Sequence, residues 1–140
     1  MNHRDDPERL LVDPAVLATL RAELDDDEGW LLFLESFLAQ LPLRIQKLRR
    51  GLLTADHELA MDAVLSLKIS SQMVGADRLA GMAINLQGFL EDMGQQGNAA
   101  LPQLAGRHLG PITACAEETA VSLAGRVGQA SPTNQGTQST

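Results

Sequence analysis

The chain has 140 residues, 44 % of them hydrophobic, and a formal net charge of −7. That length suits one domain with short tails, which buries about two-thirds of its unfolded surface and needs no metal or disulfide to hold it. The acidity argues against nucleic acid and anionic membrane surfaces as partners. The single cysteine, Cys115, excludes an intrachain disulfide and fits a reducing compartment.

Aromatic residues make up only 3 % of the chain and tyrosine is absent. The core must come from Leu, Ala, Val, Ile and Met, a mixture that favours packed helices. The opening Met1-Asn2-His3-Arg4-Asp5-Asp6 is polar and lacks an apolar leader. No apolar run approaches the ~18 residues of a membrane span, and the stretch from Trp30 to Leu38 is too short. The expectation is a soluble, cytoplasmic protein.

Residues 1–11 read as a flexible arm. Asp13-Pro14 is a helix start, with Asp as cap and Pro in the first turn. The helix it opens carries Val16, Leu17, Leu20 and Leu24 and ends at the acidic run Asp25-Asp26-Asp27. A second helix is predicted over about 28–52 on the apolar spacing of Leu31, Leu34, Phe37, Leu38, Leu41, Ile45 and Leu48. Pro42 interrupts it. Arg44, Lys47, Arg49 and Arg50 gather toward its end, where a helix dipole favours cations.

Thr54-Ala55-Asp56 forms a turn and cap before a third helix over about 57–74. Gly75-Ala76-Asp77 breaks the chain ahead of a fourth helix over about 77–92. Gly94 and Gly97 flank a polar turn. A last helical stretch spans about 99–127, with a bend expected at Gly110-Pro111. The tail 128–140 is polar and expected to be disordered. With short connections, neighbouring helices run antiparallel.

Catalytic signatures are missing. There is no Gly-rich phosphate loop, no Cys/His cluster and no paired zinc histidines. His3, His57 and His108 lie far apart, and the carboxylates sit mainly at helix starts, where capping accounts for them. Cys115 lies in an apolar-periodic stretch and reads as a small core residue. No enzyme activity, metal or cofactor is expected.

The informative stretch runs from Val64 to Leu79. Leu67, Lys68, Ser70, Ser71, Gly75, Ala76 and Leu79 match, in identity or type and at the right spacing, the signature of histidine-containing phosphotransfer (HPt) domains. Downstream, Ala83, Leu86 and Gln87 fall where that family has a small residue, an apolar residue and an acid. Asp13-Pro14 with Leu17 and Leu20, Phe37-Leu38 with Pro42, and Asp56 agree with its earlier helices. The chain thus resembles an HPt domain over about 13–125. The resemblance implies an all-α fold, an antiparallel up-down four-helix bundle of the HPt type at 12–127, with a short extra N-terminal helix. It also implies a place in two-component phosphorelay signalling.

Two departures from that signature matter. Leu65 stands where the family has its phosphate-accepting histidine, and Ile69 where it has a glycine that leaves room for the partner's active site. Leucine has no nucleophilic atom, so position 65 cannot carry phosphate. On a helix turning ~100° per residue, if Leu67 faces the core then Ala60, Ala63, Val64, Ser71 and Val74 lie within ~60° of it. Leu65 and Ile69 then point within ~20° of directly outward, beside Glu58 and Asp62, with Met61 and Gln72 on the margin. Because the resembled family presents this face to its partners, and Lys68 matches its lysine, the resemblance implies Met61, Leu65, Lys68, Ile69 and Gln72 as partner-binding residues. The expected partner is a response-regulator receiver domain or a histidine kinase, bound as by an adaptor or inhibitor without phosphate transfer. Alternatives are a homodimer formed through Met61-Leu65-Ile69, a relay carrier using His57 or His108, and coverage of the ridge by the last helix or tail.

Overall fold

A computed structural model describes residues 9–24 and 26–130, the side chains of 95–97 and 128–130 excepted. The start of the expected arm at 1–8, Asp25 and the tail at 131–140 lie outside the described residues. Among the described residues the regular elements are helical: α1 Pro14–Leu24, α2 Asp27–Leu53, α3 His57–Met73, α4 Asp77–Met93 and α5 Leu101–Ala130. A short 3-10 segment, Gln95–Ala100, occupies the expected polar turn.

The caps follow from local chemistry. Asp13 Oδ1 accepts from the Ala15 N–H at 2.9 Å, Asp26 Oδ1 from the Gly29 N–H at 2.7 Å and Asp56 Oδ1 from the Leu59 N–H at 3.0 Å. Each satisfies a donor that the first helical turn leaves without a partner. The α4 N-terminus has no side-chain cap; Asp77 in its first turn meets the positive end of the dipole instead.

The expected bend at Gly110-Pro111 does not divide the last helix. α5 is continuous through Pro111, as α2 is through Pro42. Proline in a helix interior forfeits a hydrogen bond and costs about 3 kcal/mol. Burial of Leu109, Ile112 and Cys115 around Pro111, and of Leu41 beside Pro42, offsets that loss.

The four long helices form a helical bundle. α2 packs against α3 and α5, and α4 packs against the same two. The α2/α3 pair is antiparallel: Gly51 meets Ala60, Lys47 pairs with Asp62, and Arg44 bonds Ser66. His57 is buried, and its Nε2–H donates to the Leu90 carbonyl at 2.8 Å, tying the start of α3 to the end of α4. His108 is half-buried, its ring 5.2 Å from that of Phe89.

The N-terminal segment is strapped to the turn before α4. The Arg78 N–H donates to the Leu10 carbonyl at 2.9 Å, and the Arg78 guanidinium donates to the Arg9 carbonyl at 3.2 and 3.1 Å. The Asp13 N–H donates to the Gly75 carbonyl at 2.7 Å. Gly75 has φ +75°, and a Cβ there would lie 2.8 Å from the Asp13 oxygen, so both conformation and space require glycine. Among the described residues, no helix is long and apolar enough to cross a membrane.

Candidate docking surface

α3 buries the side that helical geometry assigns to the core. Ala60, Ala63, Val64, Leu67 and Ser71 are buried, as is Val74 just past the helix end. The opposite side carries Leu65, half-buried, Ile69, 54 % exposed, and Gln72, exposed. Lys68 is half-buried on the same side. α5 lies against α2 and α4, so the last helix does not cover this face.

The expected Met61-Leu65-Ile69 ridge needs one correction. Met61 is half-buried and packs against the core. It stands ~120° from the core direction, where a flexible thioether side chain folds inward onto apolar neighbours. The row extends at its other end instead, through Met73, 47 % exposed and one turn beyond Ile69. Leu65, Ile69 and Met73 thus form an apolar row at i, i+4, i+8.

Met73 separates two grooves. One, of about 390 Å³, lies between α1 and α3, with Val16, Thr19 and Leu20 on its far wall. The other, of about 150 Å³, lies between α2 and α3 and is lined by Phe33, Ser36, Gln40, Arg44 and Ser70.

The basic residues of α2 have a different role from the one expected. Only Arg50 lies in the last turn, where the dipole acts. Lys47 forms an ion pair with Asp62 of α3, and Arg44 Nε–H donates to Ser66 Oγ at 3.1 Å. Arg44 and Met73 border the site yet were not among its predicted members. Their signal was present as i, i+4 spacing in α3 and as unpaired basic charge in α2, but which helices adjoin is a tertiary fact.

The face has no nucleophile at position 65. Ser70 Oγ–H donates to the Ser66 carbonyl at 2.8 Å, within its own helix. Cys115 lies buried on α5, and burial pushes its thiol pKa up; the Thr119 hydrogen bond and Arg78 pull it down by less, and Glu118 pushes it up. Among the described residues, no group of three or more His, Cys, Asp or Glu could hold a metal ion. What the surface offers is apolar contact bordered by cations.

The chain matches no family model, no curated protein and no solved structure.

Proposed function

We propose that the chain is an HPt-like module of two-component signalling that binds a receiver domain, or the kinase that feeds one, without accepting phosphate. The observation that carries this reading is the sidedness of α3. Its small and apolar stripe is buried, while Leu65 and Ile69 stand on the side where the resembled family holds its phosphohistidine. Leucine at that position blocks transfer but favours contact, because its apolar surface gains by leaving water. Lys68, one residue before Ile69, retains the charge that the family sets beside its phosphate.

Such a protein competes with a true phosphotransfer domain or holds a receiver in an assembly. A phosphotransfer and capture assay against receiver domains of the same genome tests this. The wild type is expected to capture a receiver and remain unlabelled. The Leu65→His, Ile69→Gly double variant is expected to accept phosphate. Capture that is unchanged in the Leu65→Asp, Ile69→Asp double variant would show that this face is not the docking surface.

A further inference from the structure

The groove between α2 and α3 lies along the proposed docking face, and the charged residue in its lining is Arg44. The protein is acidic overall, at −7, yet residues 36–55 and 63–76 contain no Asp or Glu. Of the cations in those stretches, Arg44 lines this groove, whereas Arg49 lines a separate one between α2 and α5. Lys47 is neutralised by Asp62. Among the described residues, Arg44 and Lys68 have no acidic partner.

Arg44 is the more telling of the two. Its Nε–H is spent on Ser66 Oγ, but its Nη1 is shielded from water with no hydrogen-bond partner. The notch it lines holds about 150 Å³, below the roughly 300 Å³ at which small-molecule sites begin, so it suits the head of one side chain. Ser36 and Gln40 add polar rims, and Met73 and Ile69 supply exposed apolar surface beside it.

We propose that Arg44 is a recognition residue that receives a carboxylate from an acidic segment of a protein partner, whose apolar side chains rest on Ile69 and Met73. A carboxylate fits because it is acceptor-only and its charge opposes that of the guanidinium, which has no acidic partner among the described residues. An apolar-acidic segment complements both parts of the groove at once. The inference rests on the docking reading above and adds to it the chemistry of the partner.

The notch is tested without any partner, using 3-phenylpropionate as probe and its neutral amide as control. The ¹⁵N-labelled, methyl-labelled chain is titrated and followed by NMR. The expected result is a saturable, carboxylate-dependent shift of the Arg44 Nε–H, the Gln40 side-chain amide and the Ile69 and Met73 methyls, weakened by added salt. Arg44→Gln should weaken it at least about tenfold, the loss expected for a charge-assisted hydrogen bond. Gln40→Glu, at an exposed position, should weaken it equally by neutralising the notch, with thermal unfolding unchanged. Shifts that are absent up to the probe's solubility, that the amide reproduces, or that survive both substitutions overturn the proposal. Unchanged receiver capture by the Leu65→Asp, Ile69→Asp variant counts instead against the docking reading, so the two failures are separable.

Discussion

The backbone nitrogen of Ala60 lies 2.5 Å from where a Cβ on Gly51 would sit. α2 and α3 therefore touch backbone to backbone near the turn that joins them. This fixes the depth at which α3 seats against α2 and hence which of its residues face outward.

Gly51→Ala should destabilise the protein by about 1–3 kcal/mol or more, because the added methyl meets main chain that cannot rotate away. Gly88, within α4, is the matched control, since a Cβ there meets nothing within 4 Å. Gly88→Ala should stabilise by about 0.5–1 kcal/mol through helix propensity and a less flexible unfolded chain. Urea unfolding of both variants checks the pair. Equal effects in the two would argue against the close α2/α3 approach.

The face assignment of α3 predicts an asymmetry between residues two apart. Ile69→Asp changes a side chain already 54 % exposed and should move stability by no more than about 0.5 kcal/mol. Leu67→Asp places a carboxylate at a position with no exposure and should cost more than about 4 kcal/mol. Circular dichroism melts distinguish the two outcomes directly.

The Asp56 cap is expected to contribute about 1 kcal/mol, since its carboxylate accepts from the Leu59 N–H in the first turn of α3. Asp56→Ala should lose that stability and Asp56→Asn should keep most of it. Chemical denaturation midpoints report the difference. A loss shared equally by both variants would point to charge in place of capping.

Burial raises the pKa of the Cys115 thiol, so the thiol is held protonated and out of reach in the native state. Alkylation should be slow in buffer and fast in denaturant. The sign of the linkage follows from the upward shift. Below the ordinary thiol range both states hold the proton and stability is unaffected. As pH climbs through that range, the unfolded chain ionises first, so stability falls. Cys115→Ala should lose this alkaline dependence, and a slope that persists in the variant would assign it to another group.

Much of the fold was legible because the signals are local. The Asp-capped helix starts at Asp13, Asp26 and Asp56 depend on hydrogen bonds spanning two or three residues. The buried stripe of α3 followed from helical period once Leu67 was set toward the core, and each of its expected members is buried. The last helix runs unbroken through Gly110-Pro111, where a bend was expected, with Leu109, Ile112 and Cys115 buried around the proline.

The site was less legible. Leu65 and Ile69 emerge from spacing and Lys68 from the resemblance, but the packing of Met61 against the core and the exposure of Met73 depend on where neighbouring helices lie. Arg44 looked like a dipole partner in sequence and lies instead opposite Ser66 on another helix. The sequence by itself determined the helices, their caps and the sidedness of α3, since period and capping act within a few residues. Only the tertiary structure decided which cations border the apolar row and that the last helix leaves it open, because those depend on which helices pack together.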